Sequence, residues 1–176
     1  GAAVGRRAAE LGSEIALSIE RLNVRMPGEP VEDVSLAVRR GEVLGIGGLA
    51  GHGKLGIANG IMGLYPATGT VSLFGEPFAL NDARDALTRG LAFVSEDRRG
   101  VGLLGEESIE LNIALSALEA HGRFLHPFPI PAFRPLDGKA MRGHAREMIQ
   151  RLDVRTTGPE QQVRRLSGGN QQKVCL

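Results

Sequence analysis

The stretch Gly48-Leu49-Ala50-Gly51-His52-Gly53-Lys54-Leu55 decides the fold, because its glycines and lysine follow the G-x-x-x-x-G-K spacing of a phosphate-binding loop. Glycines at these positions let backbone N–H groups close around phosphate oxygens, and Lys54 adds a positive charge. Leucine stands at position 55, where the pattern has the serine or threonine that binds the nucleotide's Mg2+. The segment therefore predicts nucleotide binding but casts doubt on efficient hydrolysis. The candidate phosphate-binding residues are Gly48, Gly51, His52, Gly53, Lys54, Leu55 and Gly56.

The residues on both sides of this loop indicate that it joins a strand to a helix. Residues 42–47 are mostly apolar and predict a buried strand, and residues 54–62 predict a helix. A helix that begins directly after the loop directs the positive end of its dipole at a bound anion. A glycine-rich turn without a ligand is the alternative, but it gives no structural reason for a lysine directly after the last glycine.

The composition is that of a soluble globular domain. The chain has 176 residues, of which 42% are apolar and 23% charged, enough for one domain with a core. A net charge of +1 and the lack of interleaved basic and aromatic residues give no reason to expect a nucleic-acid partner. No window approaches the roughly 18 consecutive apolar residues of a membrane span, so we expect membrane association only through a partner. The single cysteine, Cys175, excludes an internal disulfide.

Hydrophobic periodicity and turn residues predict further elements along the chain. Short strands are predicted at residues 15–22, 31–38, 69–75 and 91–94, with a turn at residues 27–30. Helices are predicted at residues 81–89, capped by Asn81, at residues 107–120, and at residues 136–152, capped by Asp137. Residues 124–135 contain four prolines and predict an irregular connector.

A second motif, Leu166-Ser167-Gly168-Gly169-Asn170-Gln171-Gln172, lies near the end of the sequence. A serine hydroxyl and two adjacent glycine N–H groups at the start of a helix form a second possible anion-binding concavity. Taken alone, the same residues are equally typical of a plain serine cap followed by two flexible glycines. The phosphate-binding loop in the same chain favours the anion-binding interpretation.

Together these motifs resemble the ATP-binding cassette family, whose signature is the Leu-Ser-Gly-Gly segment. More narrowly, the chain is similar to the second cassette of the double-cassette ATPases that drive bacterial simple-sugar and nucleoside importers. The resemblance rests on the loop at residues 48–54, on Val94-Ser95-Glu96-Asp97-Arg98-Arg99, and on residues 166–173, and it covers the chain from about Ile15 onward.

The resemblance implies an α/β P-loop fold of cassette type, with an antiparallel β-subdomain, an α-helical subdomain, and an end before the Walker B strand. It divides the chain into a linker at residues 1–14, a β-subdomain and nucleotide core at 15–106, a helical subdomain at 107–165, and the signature with the start of its helix at 166–176. Glu96 would lie in the Q-loop, as a sensor and a weak candidate metal ligand. The base-stacking aromatic of the family should fall within residues 24–28, where this chain has none; the only tyrosine is Tyr65.

The resemblance also implies ligands, partner proteins, a cellular location and a role for each motif. ATP and Mg2+ would be the ligands, with Mg2+ held weakly because of Leu55. Residues 166–171 would cover the nucleotide of a partner cassette, either the first cassette of the same polypeptide or a second copy. Transmembrane permease subunits and a periplasmic solute-binding protein would complete an importer, and the chain would lie at the cytoplasmic face of the membrane. We expect this chain alone not to hydrolyse ATP at a useful rate, because the Walker B glutamate and the switch histidine fall beyond Leu176.

Two other functions remain open from the sequence. Residues 91–97 also resemble an apolar strand that ends in acids, the Mg2+-holding element of a stand-alone P-loop NTPase or kinase. The second alternative, which is compatible with the cassette interpretation, is a module that only binds nucleotide and acts as an assembly partner or regulatory half. His121, His126 and His144 show no spacing typical of metal ligands.

Overall fold

A computed structural model describes residues 12–127 and 134–176 of the chain. These residues group into two compact units, which divide between Leu91 and Ala92. Most of the linker predicted at residues 1–14 and the middle of the connector predicted at residues 124–135 lie outside the described residues.

The first unit contains a four-stranded antiparallel sheet in the order β2-β1-β3-β4. Its strands are β1 (Ile15–Val24), β2 (Val31–Arg39), β3 (Ala67–Leu73) and β4 (Glu76–Phe78). Ile19 of β1 stands opposite Leu36 of β2 and Val71 of β3, and it is almost fully buried. The antiparallel β-subdomain is thus confirmed, and β4 is a strand that the sequence analysis did not predict.

Two helices accompany this sheet. The first, α1 (Lys54–Ile61), follows the glycine-rich loop, one residue shorter than predicted, and buries Ile57 and Ile61. The second, α2 (Ala83–Thr88), is capped by Asp82, whose side chain accepts a hydrogen bond from the amide of Asp85. The prediction of Asn81 as the cap was wrong. Asn81 has a left-handed backbone and bonds both the amide and the carbonyl of Ala67, so its side chain is already engaged.

Two predicted strands do not form among the described residues. Residues 42–47 lie outside any strand, and Val43 is 96% exposed. Residues 91–94 also form no strand, and Val94 is exposed. Apolar segments of this kind become strands only when neighbouring strands accept and donate their backbone hydrogen bonds. Within the described residues the sheet ends at β2 and β4, and neither segment pairs with these edge strands.

The second unit is mainly helical. Its helices are α3 (Ile109–His121), α4 (Gly138–Arg151) and α5 (Gly168–Cys175). One π-helical turn (Arg98–Gly102) precedes α3, and a short 3-10 turn (Val163–Arg165) lies between α4 and α5. Asp137 caps α4 as predicted, by accepting from the amide of Ala140. Ser108 caps α3, which begins at Ile109, two residues after its predicted start.

A compact apolar core holds the ends of this unit together. Ile109 at the start of α3 packs with residues from the segment that leads into α5 and from α5 itself. The buried members are Ile109, Val154, Val163, Leu166 and Val174. Leu166, the first residue of the second motif, is therefore anchored in the core and fixes where α5 begins. Across the described parts of the chain, we find no helix with the length and apolar character to span a membrane.

Candidate functional site

The glycine-rich loop requires its glycines because of a close approach by the turn between β1 and β2. Gly51 and Gly53 both have left-handed backbones, with φ of 84° and 80°. A Cβ atom at Gly53 would overlap the carbonyl oxygen of Pro30, and a Cβ at Gly56 would overlap that of Glu29. Any side chain at these two positions would push the loop away from the turn. The G-x-G-K spacing thus serves packing as well as the phosphate geometry that the sequence predicts.

Lys54 is the first residue of α1, and its amino group stays at the loop. Its Nζ donates a hydrogen bond of 3.3 Å to the carbonyl oxygen of Leu49 and lies 3.9 Å from Oε1 of Glu29. The helix that begins at Lys54 has no acidic residue in its first turn. A positive side chain and the positive end of the helix dipole therefore act at the same place, which favours an anion.

The carboxylate of Glu29 is the anion that this loop holds in the structure. Its Oε1 accepts a hydrogen bond of 2.7 Å from the amide of Gly51, and the residue is buried. The amide of Gly51 is the largest cause that lowers the pKa of Glu29 below its ordinary value. The amides of Leu55 and Gly53 and the charge of Lys54 lower this pKa further, whereas burial acts in the opposite direction.

The donors of the loop fit a phosphate group, but the residue after Lys54 does not fit a metal ion. The amide of Gly51 and the ammonium group of Lys54 converge on Oε1 of Glu29, and donors of these two kinds are what a phosphate needs. Leu55 supplies no oxygen ligand. No group of three or more His, Cys, Asp or Glu side chains suited to a metal ion occurs among residues 12–127 and 134–176. His52 is exposed and contributes its amide to a bond with the carbonyl of Leu49.

The place where the base is expected has no aromatic side chain. Val24 and Arg25, from the expected stretch, line a cavity of about 710 Å³ in the first unit. Its lining consists of Asn23, Val24, Arg25, Pro30, Val31, Glu32, Pro66, Ala67, Thr68 and Asn81. Stacking on a tyrosine, phenylalanine or tryptophan is thus not available from these residues.

In the second unit, Ser95-Glu96-Asp97-Arg98 forms a tight turn. The hydroxyl of Ser95 accepts from the amide of Asp97, and the carboxylate of Asp97 accepts from the amide of Gly100. These bonds open the π-helical turn that begins at Arg98, a kind of irregularity that is common at functional sites. Glu96 itself is exposed at the tip of this turn.

At the second motif, α5 begins without a capping hydrogen bond from a side chain. Ser167 occupies the cap position, but its side chain makes no capping bond and instead accepts from Nδ2 of Asn170. Gly168 and Gly169 are exposed, and Asn170 also accepts from the amide of Arg155. The plain-cap alternative is therefore not what the structure has. Gln171 braces the turn by donating to the carbonyl oxygens of Leu166 and Val163.

Two functional contacts were not foreseen from the sequence. Glu29 lies in a Pro-Gly-Glu-Pro turn that is read simply as a turn, and its contact with Gly51 spans 22 positions. Arg98 donates from Nη1 to the carbonyl oxygen of Gly168 at 2.6 Å, across 70 positions. No local sequence pattern indicates either contact. Once the β1–β2 hairpin is predicted, however, its turn can be searched for a carboxylate that would reach the phosphate-binding loop.

Comparison with known proteins agrees with this arrangement. A family model described as ABC transporter matches residues 31–176, which include both the glycine-rich loop and the second motif. The chain belongs to the ABC transporter family. It is 38% identical, over 94% of its length, to a ribose import ATP-binding protein, RbsA, of Caldanaerobacter subterraneus subsp. tengcongensis, of which it covers 31%. It is 43% identical over 85% of its length to RbsA 2 of Rhizobium etli, covering 28% of that protein.

Further similarity extends to another importer and to a solved structure. The xylose import ATP-binding protein XylG of Burkholderia ambifaria is 41% identical over 83% of this chain, which covers 27% of it. The chain thus spans about three tenths of the length of these curated relatives. The post-hydrolysis dimer of the ATP-binding cassette MJ0796, bound to ADP and Pi, matches 90% of this chain with a TM-score of 0.66. At 21% identity and with 66% of that chain covered, this match shows the cassette fold.

Proposed function

We propose that this chain is the nucleotide-binding part of an ABC-type ATPase subunit that energises the import of a simple sugar or a related small solute. The observation that carries the proposal is the binding of a carboxylate by the amide of Gly51 beside Lys54, because this loop is built to hold an anion. The names of the similar ribose and xylose import ATP-binding proteins support the solute class.

The ligand is ATP with Mg2+, the nucleotide and ion that ABC ATPases use. Lys54 and the amides of Gly51, Gly53 and Leu55 would bind the phosphates. Leu55 weakens Mg2+ binding in this half, since a leucine side chain offers no oxygen to the ion. Glu96 is an exposed carboxylate that would supply a weak metal ligand and the Q-loop sensor.

The second motif would act on the nucleotide of a partner cassette. Ser167, Gly168 and Gly169 are exposed and lie at the uncapped start of α5, so their N–H groups are available to an anion from another surface. The partner is the first cassette of the same polypeptide or a second copy, and this chain is the second, degenerate half. Permease subunits and a periplasmic solute-binding protein complete the importer, with this chain peripheral at the cytoplasmic face of the membrane.

The two other functions have less support. A stand-alone P-loop phosphotransferase would need a strand that ends at Glu96 and Asp97, but residues 91–94 form none. That function also leaves the second motif without a role. A module that binds nucleotide without hydrolysis is compatible with Leu55 and describes how this half would behave within the importer.

The test compares two variants of the full-length subunit, assembled with its permease in vesicles. Ser167→Arg should lower ATPase activity by about 10²–10³-fold, because it fills the concavity that covers the partner's phosphates. Lys54→Ala should lower it by less than about tenfold, because it weakens the degenerate site only. The matched control is Gln150→Arg, on the exposed side of α4, which adds the same charge and should leave activity unchanged. Equal and complete loss in both variants would contradict the assignment of this half as degenerate.

A further inference from the structure

The carboxylate of Glu29 occupies the place in the glycine-rich loop where a phosphate oxygen would bind. Its Oε1 is 2.7 Å from the amide nitrogen of Gly51 and 3.9 Å from Nζ of Lys54. Both belong to the donors that the proposed function gives to the nucleotide. A carboxylate that accepts from a loop amide beside a lysine is a close chemical substitute for phosphate, since both offer anionic oxygens to fixed donors.

The second oxygen of Glu29 shows that this contact is not an ordinary solvated ion pair. The side chain of Glu29 is 9% exposed, and its Oε2 is buried with no hydrogen-bond partner among the described residues. An ionised oxygen buried without a partner costs free energy that an exposed glutamate avoids. The amide of Gly51 and the positive charge of Lys54 offset this cost through the other oxygen, Oε1. The carbonyls of Glu29 and Pro30 pack against Gly56 and Gly53, so the turn and the loop form one block.

We propose that Glu29 is a built-in competitor of the nucleotide, which must leave the amide of Gly51 and the amino group of Lys54 before the phosphates of ATP can bind there. This inference rests on the proposed nucleotide binding. A carboxylate and a polyphosphate cannot share one set of donors without strong repulsion. The apparent affinity of this half for ATP is therefore lower than its loop alone would provide. This competition lowers the affinity for ATP in addition to the effect of the missing hydroxyl at position 55, and it does not depend on Mg2+.

The opposite assignment for the same residue is a metal ligand that replaces the missing hydroxyl. The geometry favours competition, since Oε1 faces an N–H donor and an ammonium group, and both repel a cation. The two assignments predict opposite results for nucleotide affinity. As a competitor, Glu29 weakens the binding of ATP with or without Mg2+. As a ligand, it strengthens the binding of MgATP only.

The experiment measures ATP binding by calorimetry on the full-length protein, with Mg2+ and with EDTA. We assign to this half the component of the calorimetric binding signal that the Lys54→Ala substitution removes. Glu29→Gln keeps the shape of the side chain but removes its charge, and we expect about a tenfold gain in affinity under both conditions. Glu76→Gln is the matched control, because it removes the same charge from an exposed position in β4, outside the loop and the cavity, and affinity should stay within about twofold.

Since a glutamine at position 29 can still accept from Gly51, Glu29→Ala provides a second measurement. Both variants should bind ATP more tightly than the wild type. A cooperative unfolding transition of each variant checks that it is folded. Affinity unchanged or lowered in both folded variants overturns the proposal. Weaker binding of MgATP with unchanged binding of free ATP also overturns it and assigns Glu29 as a metal ligand. If the wild type and the variants all lack a component that Lys54→Ala removes, the proposed function fails together with this inference.

Discussion

Arg98 donates a hydrogen bond of 2.6 Å from Nη1 to the carbonyl oxygen of Gly168. The first residue belongs to the turn of the Glu-Asp-Arg motif, and the second begins α5. The two motifs of the second unit are therefore joined directly by a single charged donor. Because the carbonyl of Gly168 belongs to the peptide whose nitrogen is that of Gly169, this bond also orients an amide of the signature.

This bond can be tested with Arg98→Lys, which keeps the charge but lacks the planar guanidinium group. We expect the amides of residues 168–171 to exchange hydrogen several-fold faster, because the start of α5 loses a charged bond worth about 1.5–3 kcal/mol at most. Hydrogen exchange followed by mass spectrometry measures this. Arg146→Lys, on an exposed position of α4, makes the same substitution and should leave exchange unchanged. If the amides of residues 168–171 exchange equally fast in Arg98→Lys and Arg146→Lys, the bond from Arg98 to Gly168 does not stabilise the start of α5.

A backbone prediction concerns Gly53, which has φ of 80° and would place a Cβ against the carbonyl oxygen of Pro30. Gly53→Ala should lower the free energy of unfolding by about 1–3 kcal/mol, since it adds strain and separates the loop from the turn. The measurement is urea denaturation. Gly143→Ala is the control within α4, where a Cβ meets nothing within 4 Å. It should be neutral or stabilising by about 0.5–1 kcal/mol.

Asn81 provides a test of the corrected cap assignment. Its side chain bonds both the amide and the carbonyl of Ala67, at 2.7 and 2.9 Å. Asn81→Asp keeps the acceptor and tolerates the left-handed backbone, but it places an oxygen against the carbonyl of Ala67, so we expect a loss of about 1–2 kcal/mol. Asp82→Ala should cost about 1 kcal/mol by removing the cap of α2. If Asn81→Asp proves neutral in urea denaturation, the pair of hydrogen bonds to Ala67 does not contribute to stability.

The thiol of Cys175 gives a pH-dependent prediction. Burial raises the pKa of Cys175, and the nearby charge of Arg98 offsets only part of this effect. At neutral pH we therefore expect alkylation by iodoacetamide to be slower than in urea, with a rate that climbs as pH rises through the raised pKa. Because the folded state holds this proton more tightly, stability is full below the unfolded pKa and falls as pH rises above it. A rate equal to that in urea would contradict this.

The local parts of the fold follow from the sequence because short-range rules decide them. The loop at Gly53 and the start of α1 at Lys54 are set by spacing, and the cap at Asp137 by side-chain chemistry. Residues 42–47 have the composition of a buried strand but lie outside the sheet, since a strand exists only where partners supply its hydrogen bonds.

The parts of the site that the sequence did not predict depend on contacts far apart in the chain. Glu29 reaches Gly51 only because β1 and β2 bring their turn against the loop, and no local pattern encodes that approach. Arg98 is recognisable as part of a motif, but its bond to Gly168 requires the packing around Leu166 and Val174. The motif residues can thus be located from the sequence, whereas their partners need the tertiary structure.

The exposed apolar side chains of Val43, Leu44 and Ile46 have a practical consequence for work with this chain. A short run of β-branched and aliphatic residues that is not paired within a sheet is a template on which other molecules can add strands. At high protein concentration we expect aggregation to begin at this segment, and a lysine in place of Val43 should delay it.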